Sequence, residues 1–270
     1  MTGFANFNNP TENRPAQGRE VGRYVGLDLR ETEEGRVRGI APVREYLRGR
    51  NGQMRPGPLL TLLDSVGGLN AGLAALPDGW VVSTNLAARF VSDDHGDALV
   101  LESEVLRKGR NSVVAAVRAS NEATGAVVAD GILTSSVLIP EGGPPVWTRP
   151  VVLAALDIPA EGYPVVEAWL ATRSIDAESV EMPLHEHMRN PWGILHGGVV
   201  SMLIEQAVEH TTGAAPADIT MHFLAPNRVG PVRATARLIG ARADAQVLRV
   251  EVRDIGADRL TALAVATTRR

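Results

Sequence analysis

The sequence predicts an α+β protein built as a tandem duplication, in which a long buried helix followed by antiparallel strands occurs twice. Three observations support this prediction. A Pro/Gly-rich break, Pro140–Pro145, lies just past the midpoint of the 270 residues. Each side of the break has one helix-length apolar segment, and each such segment is followed by β-type stretches separated by turn residues. Sequential strands joined by tight turns form an antiparallel sheet.

The two predicted helices span Pro58 to Leu76 and Gly197 to Thr212. Both are apolar around most of their circumference, so each must be surrounded by protein on nearly all sides. Each has an acidic residue in its middle, Asp64 in the first and Glu205 in the second. A carboxylate at that place in an apolar helix is a candidate for acid–base chemistry, although an ordinary solvated helix acid is the simpler reading.

Eight predicted strands follow the helices, four in each half. They are Trp80–Val91, Ala98–Leu106, Ser112–Asn121 and Val127–Ile139, then Asp218–Leu224, Pro231–Ile239, Gln246–Asp254 and Leu260–Thr267. Prolines in the break stop both helices and sheet ladders, which predicts a linker. The predicted organisation is a leader over residues 1–20, an N-terminal unit over 21–140, a linker over 141–149 and a C-terminal unit over 150–270.

Composition excludes several classes of protein. Hydrophobic residues make up 44% of the chain and aromatic residues 4%, so aliphatic side chains must form the core. The net charge of −4 argues against a nucleic-acid partner, which would require a basic stripe. The absence of cysteine excludes disulfides, thiolate nucleophiles and iron–sulfur sites. No apolar run reaches the ~18 residues of a membrane span and the leader has no apolar segment, which predicts a cytoplasmic protein without a membrane partner.

The two halves align around the start of each helix. The segment Gly52–Gly57 matches Gly193–Gly198, and the acidic residue lies nine positions after the fourth residue of the aligned segment in both halves. The aligned pairs are Arg55 with His196, Pro56 with Gly197, and Asp64 with Glu205. The strand after each helix aligns as well, with Phe90 opposite Phe223.

These residues resemble the hotdog-fold thioesterases, in particular the PaaI-like and 4-hydroxybenzoyl-CoA branch. The resemblance rests on a Asn-x-x-Gly-x-x-His-Gly-Gly motif followed by an acidic residue, which here is Asn190, Gly193, His196, Gly197, Gly198 and Glu205. The segment Arg107–Arg110 is similar to a basic step between strands in that family. The resemblance implies a long helix wrapped by an antiparallel sheet, with active sites where two units meet. A chain with two units is then a double hotdog, its substrate an acyl-CoA and its cofactors none. A homodimer of double hotdogs is a further arrangement that the resemblance allows.

The resemblance implies two composite sites, and the first has all its expected parts. It combines Asn190, His196 and Gly197 of the C-terminal half with Asp64 and Ser83 of the N-terminal half. The N–H of Gly197 would polarise the thioester carbonyl. Asp64 would act as a general base on water or as a nucleophile, and the sequence does not choose between the two. Asn190 would orient water or the carboxylate, His196 would hold the loop, and Ser83 would hold the water.

The second site lacks essential parts. Pro56 replaces Gly197 and has no N–H, and an oxyanion donor is worth roughly 3–4 kcal/mol in acyl-transfer enzymes. Pro216 falls where the small hydroxyl is expected. Glu205 is either a second catalytic carboxylate or a relic paired with Arg55, and the pairing is the preferred interpretation. We therefore predict one working site per chain.

Two further groups of residues could bind ligands. His185 and His187 could share one face of a strand and bind a metal, but no third ligand has suitable spacing. Arg107, Lys108 and Arg110 could contact the phosphates of CoA or simply form a solvated turn.

The leading function is acyl-CoA hydrolysis. A non-catalytic acyl-CoA-binding module and a hotdog lyase that moves a proton at Asp64 remain open alternatives.

Overall fold

The computed structural model describes residues 20–32, 36–139, 144, 146, 149–153, 158–159, 161–190 and 192–269. The predicted leader therefore lies outside the described residues up to position 19, while Glu20 begins a short helix and pairs with Arg23 at 2.6 Å. Of the predicted linker, only residues 144, 146 and 149 are described. The division of the chain at the linker stays a prediction.

Four helices and thirteen strands are assigned within these ranges. The helices are α1 (Glu20–Tyr24), α2 (Pro56–Ala75), α3 (Val166–Leu170) and α4 (Gly197–Thr212). The strands of the first half are β1 (Asp28–Glu31), β2 (Val37–Pro42), β3 (Trp80–Phe90), β4 (Ala98–Lys108), β5 (Ser112–Asn121) and β6 (Val127–Leu138). Those of the second half are β7 (Val152–Leu153), β8 (Arg173–Ser174), β9 (Ser179–Met182), β10 (Pro216–Phe223), β11 (Val232–Ala241), β12 (Ala245–Asp254) and β13 (Arg259–Arg269).

The described strands form one antiparallel sheet with the order β7-β1-β2-β4-β5-β6-β3-β10-β13-β12-β11-β9-β8. Helices α2 and α4 lie against the same side of this sheet, each wrapped by the strands of its own half, and the main hydrophobic core fills the space between. The α+β duplication is thereby confirmed. Among the described residues, no helix is long and apolar enough to cross a bilayer.

Strands β3 and β10 join the two halves at the centre of the sheet, in a register that is symmetric about its midpoint. The cross-strand pairs include Asn85 with His222, Ala87 with Thr220, and Arg89 with Asp218. The alignment of Phe90 with Phe223 converts the first of these pairs into the third and leaves the second unchanged. A local two-fold axis therefore passes through the central pair, and the predicted strand alignment is confirmed.

Each central strand also has a bulge at the equivalent place. In β3 the register shifts between Ser83 and Asn85, and in β10 it shifts between Pro216 and Asp218. A bulge changes the direction of the side chain beside it, so the two halves orient the residue at this position in the same way. Ser83 and Pro216 are thus structural equivalents, as the alignment predicts.

The helices α2 and α4 touch where each has a glycine near its start. A Cβ atom on Gly198 would lie 2.4 Å from the side chain of Thr61, and one on Gly57 would lie 2.7 Å from the backbone of Met202. Thr61 Oγ1 lies 2.9 Å from the carbonyl oxygens of both glycines. The absence of a side chain at these two positions lets the first turn of each helix reach the carboxylate of the other.

Elements at the edges of the sheet were not predicted. The strands β1, β2, β8 and β9 are short, and α1 and α3 have five residues each. Strand β7, which follows the predicted linker, pairs with β1 of the first half. The first long helix begins at Pro56, two residues before its predicted start, because proline is well suited to the first position of a helix.

Candidate active site

The carboxylate of Asp64 lies at the centre of the first composite site. It is 6% exposed on α2, and Ser83 Oγ donates a hydrogen bond of 2.7 Å to its Oδ1. The β3 bulge directly after Ser83 is the local feature that directs this hydroxyl toward the helix. A hydrogen bond to a buried carboxylate stabilises its charged form and fixes its rotamer.

The start of α4 presents a backbone donor to the same place. His196 is the N-cap residue: its Nδ1 accepts the N–H of Gly198 at 3.0 Å, and its carbonyl oxygen accepts the N–H groups of Val199 and Val200 at 3.0 and 3.2 Å. The N–H of Gly197 has no intrahelical acceptor because it begins the helix, and no acceptor for it is found among the described residues. The first turn of α4 thus has one N–H available for a ligand.

Gly197 lies directly against the carboxylate. A Cβ atom there would be 2.9 Å from Asp64 Oδ2 and 3.3 Å from the ring of Phe223. Any side chain at this position would therefore push on the carboxylate. The N-terminus of α4 carries a partial positive charge that favours negative charge nearby, so the backbone donor and the acid face one another across the junction of the two halves.

His196 has its imidazole between the loop and the carboxylate. Its Nδ1 lies 3.9 Å from Asp64 Oδ2, and its side chain is 17% exposed. Burial lowers the pKa of His196, and the charge of Asp64 opposes that effect only in part. The imidazole is therefore neutral at pH 7. Since Nδ1 accepts the Gly198 N–H, the ring proton is on Nε2.

The side chain of Asn190 holds its own loop. Its Oδ1 accepts the N–H groups of Trp192 and Ile194 at 2.9 and 3.4 Å, which is an Asx-type turn. Gly193 in the same loop has a φ of 69°, a conformation that glycine adopts without strain. The structure thus brings Asp64, Ser83, His196 and Gly197 together, with Asn190 supporting the loop. Its expected role in orienting water stays a prediction.

The second composite site is occupied by an ion-pair cluster. Arg55 Nε donates to Glu205 Oε1 at 2.9 Å, its Nη2 donates to Glu209 at 2.8 Å, and its Nη1 donates to Glu167 of α3. The expected pairing of Arg55 with Glu205 is confirmed. Glu205 is 1% exposed, and burial raises its pKa to about 7 although Arg55 acts in the opposite direction. Among the described residues its Oε2 has no partner.

Aromatic side chains pack beside this cluster. Tyr24 stacks on Trp169 of α3 with ring centroids 4.0 Å apart, and it also contacts Tyr46 and Tyr163 at 5.4 Å. Burial is the main cause that raises the pKa of Tyr24, and the charges around Arg55 act on it too. At the start of α2, Arg55 offers no side-chain cap and Pro56 no N–H. The second site therefore has charged and aromatic side chains where the first site has an available backbone N–H beside its carboxylate.

Sequence reasoning missed Glu167 and Glu209 as partners of Arg55. A signal existed for Glu209, since it lies one turn after Glu205 on the same face of α4. For Glu167 there was none, because it is 112 residues from Arg55 in the chain.

Two weaker expectations concern residues outside the first site. Arg107, Lys108 and Arg110 are exposed at the turn between β4 and β5, where Lys108 Nζ lies 3.6 Å from Asp78. Contact of these residues with CoA phosphates stays a prediction.

The reading of His185 and His187 as alternate residues of a strand was wrong. They flank and occupy a 3-10 helix, Glu186–Met188, and His187 packs on Trp169. Within the described ranges there is no group of three or more potential metal ligands.

Comparison with known proteins shows a common fold for the chain and a family match for part of its second half. Residues 186–269 match the family described as acyl-CoA thioesterase N-terminal domain. The tesB protein of Mycobacterium avium subsp. paratuberculosis aligns with a TM-score of 0.60 at 14% identity, over 93% of this chain and 98% of that one. A hot dog fold protein of unknown function from Alicyclobacillus acidocaldarius aligns with a TM-score of 0.59 at 12% identity, over 93% and 97%. The 12:0-ACP thioesterase of Umbellularia californica gives 0.58 at 12%, over 87% and 95%.

No curated protein sequence matches the chain significantly. The structural neighbours are distant in sequence and show the double hotdog fold, while the family match covers the loop and helix with Asn190, His196 and Gly197. Placement in the PaaI-like branch stays a prediction. The chain thus has the fold of the hotdog proteins, and its residues 186–269 are similar to an acyl-CoA thioesterase domain.

Proposed function

We propose that the chain hydrolyses acyl-CoA thioesters at one composite site, made by Asp64 and Ser83 of the first half with His196 and Gly197 of the second. The observation that supports this most directly is the short distance between the free N–H end of α4 and the Asp64 carboxylate. A Cβ atom on Gly197 would lie only 2.9 Å from Asp64 Oδ2, which shows how close the helix start is to the carboxylate. A carbonyl bound to that N–H would have its carbon next to the acid.

In the proposed reaction the thioester oxygen accepts the N–H of Gly197, and the positive end of α4 stabilises the charge that develops there. Asp64 takes a proton from water as the water oxygen attacks the carbonyl carbon. The C–S bond then breaks, and the CoA sulfur leaves as a thiolate that takes up a proton. The products are a free acid and CoA. Ser83 keeps the carboxylate in its orientation through the 2.7 Å hydrogen bond.

Asp64 could instead attack the carbonyl carbon itself and form an anhydride, which water then hydrolyses. A single turnover in ¹⁸O-labelled water separates the two routes. General-base catalysis places the label in the released acid, whereas attack of water on the Asp64 carbonyl of an anhydride places it in the protein. Mass spectrometry of the peptide that contains Asp64 reads out the difference.

The second site is proposed to be inactive. Pro56 cannot donate a hydrogen bond to a carbonyl, and Glu205 already accepts one from Arg55. Helix α3 occupies space beside them through Glu167. These contacts give Glu205 a structural role.

The test is release of CoA from a panel of acyl-CoAs by wild type, Asp64→Asn and the matched variant Glu205→Gln. We expect Asp64→Asn to lower kcat by roughly 100- to 10,000-fold, the usual contribution of a general base, and Glu205→Gln to retain turnover. Loss of turnover only in Glu205→Gln would place the active site at the second composite site. Binding of acyl-CoAs without any CoA release would instead support the non-catalytic module.

A further inference from the structure

Helix α2 has an open face beside its catalytic acid. Gly68 and Gly72 follow Asp64 at intervals of four residues, so the three positions lie along one side of the helix. A Cβ atom on Gly68 would meet no heavy atom within 4 Å. Its neighbour Gly67 is closely packed, with a Cβ position 2.6 Å from Val117. The space is therefore confined to the side of the helix that carries the acid.

This space ends at Trp80. A Cβ atom on Gly72 would lie 2.6 to 2.8 Å from three atoms of the six-membered ring of Trp80, so the indole lies flat against the helix where Gly72 has no side chain. Trp80 begins β3, the strand that carries Ser83. One strand thus supplies both the hydroxyl at Asp64 and the aromatic ring two helical turns away, about 12 Å along the axis.

A buried hydroxyl beside Ser83 gives an independent indication of a ligand. Ser135 of β6 is directly opposite Ser83 in the sheet, and opposite residues share a face. Ser135 is fully buried, and its Oγ has no hydrogen-bond partner among the described residues. Buried polar groups nearly always have a partner, so a polar group of a bound molecule is expected near this hydroxyl.

The wall between α2 and the sheet is apolar and separate from the main core. It consists of a small cluster of buried residues, Ala71, Ala75, Val81 and Val113. These four side chains are fully or almost fully buried, so they form an apolar layer beneath this side of the helix. The chemistry of this wall suits the acyl part of a thioester better than the polar CoA part.

We infer that Trp80 is a specificity-determining residue: its ring closes the acyl pocket that starts at Asp64 and passes Gly68, so that it limits the length of the acyl group. The inference rests on the proposed function for the position of the thioester carbonyl. A shorter acyl group fills the space beside Gly68 without reaching the indole. A longer acyl group contacts the indole ring. The ring cannot move away from it toward the helix, because it already packs directly against Gly72.

The test uses straight-chain saturated acyl-CoAs of increasing length and two readouts. The dissociation constant is measured in the Asp64→Asn background, where no turnover is required, and kcat/KM is measured with Asp64 intact. In wild type we expect the affinity to rise about fourfold per buried methylene and then to stop rising at one chain length. Trp80→Ala should move that break to longer chains, and Gly68→Leu should move it to shorter ones.

Trp169→Ala is the matched control, since it removes an indole of the second site, and it should leave the break where wild type has it. If Trp80→Ala does not fold, Trp80→Phe is expected to give a smaller shift in the same direction. The inference is overturned if neither Trp80 variant nor Gly68→Leu moves the break in the binding series. Absence of CoA release with an intact binding series would reject the hydrolase and leave the pocket in place.

Discussion

Arg55 Nε donates to Glu205 Oε1 over 2.9 Å in the second composite site, at the positions where the first composite site has His196 and Asp64, with 3.9 Å between Nδ1 and Oδ2. The same two places in the fold thus hold a buried ion pair in one site and, in the other, an aspartate beside a neutral imidazole. Both arrangements avoid an isolated buried charge, the first through Arg55 and the second through Ser83. Only the arrangement with Asp64 places the carboxylate beside a backbone N–H that has no acceptor among the described residues, since Pro56 has no N–H.

Replacing Arg55 by methionine should destabilise the fold strongly. Arg55 is the shared cation of three carboxylates, and one of them, Glu205, is 1% exposed. Removing one partner of a buried ion pair costs about 3–5 kcal/mol. Urea unfolding followed by circular dichroism measures the free energy.

The control for that variant is Arg118→Met. Arg118 pairs with Asp130 at 2.8 Å, but both side chains are more than half exposed, so the expected loss is about 0–1 kcal/mol. Equal losses in the two variants would contradict a structural role of the Arg55 cluster.

Glu205 should make stability depend on pH in a specific direction. Its pKa is about 7 in the folded protein against an ordinary value of 4.5, so between these pH values the folded state binds more protons than the unfolded state. Stability from this group is then fully present below pH 4.5 and is lost as the pH rises through 7. The loss is as much as about 3 kcal/mol.

Comparison with Glu205→Gln isolates this effect, because glutamine does not titrate. The free energy of unfolding of wild type relative to the variant should fall between pH 4.5 and 7.5. A constant difference over that interval would show that Glu205 is ionised in the folded protein throughout.

The features that could be predicted from the sequence are those marked by long apolar runs or by the internal repeat. The apolar runs around Asp64 and Glu205 are long enough to identify buried helices, and the family resemblance implied that the sites lie where the two units meet. The alignment of Phe90 with Phe223 placed Ser83 correctly, because both halves keep the same bulge. Repetition within the chain supplied the information that a single copy lacks.

The features that were missed depend on contacts between distant residues. Helix α3 has five residues, and its Glu167 reaches Arg55 across 112 positions of sequence, which no local periodicity reveals. Asn190 was identified by its motif, but the motif does not say which way its amide faces. The side-chain oxygen is used by the loop, since an asparagine before a glycine turn readily bonds the backbone that follows it.

Ser83→Ala should lower kcat about 10- to 100-fold. The variant removes a hydrogen bond to a carboxylate, and such bonds contribute about 1.5–3 kcal/mol. Steady-state kinetics of CoA release give the value. Ser92→Ala is a suitable control, since Ser92 lies in the loop after β3 and its hydroxyl accepts the N–H of Asp94 rather than contacting Asp64. Unchanged kcat in Ser83→Ala would mean that the hydroxyl is not needed to orient Asp64.

Gly198→Ala should separate the two halves at their closest contact. The added methyl group would overlap the side chain of Thr61, and overpacking of this kind costs about 1–3 kcal/mol. Thr61→Ala in the same chain removes the overlapping atoms, so the double variant should be more stable than the sum of the two single effects predicts. Additive effects in urea unfolding would show that α2 and α4 move apart freely.

His196→Asn should keep the helix start intact, whereas His196→Ala should not. The imidazole Nδ1 accepts the N–H of Gly198, and an asparagine oxygen is also a strong cap acceptor, while loss of a cap costs about 0.5–2 kcal/mol. The lowered pKa of His196 adds a pH dependence: stability is present above the ordinary value of 6.5 and falls as the pH drops below it, because the protonated ring cannot accept the bond. In His196→Asn this acid-side loss should disappear while the stability at pH 7.5 remains. A loss at low pH that is the same in both proteins would assign it to another group.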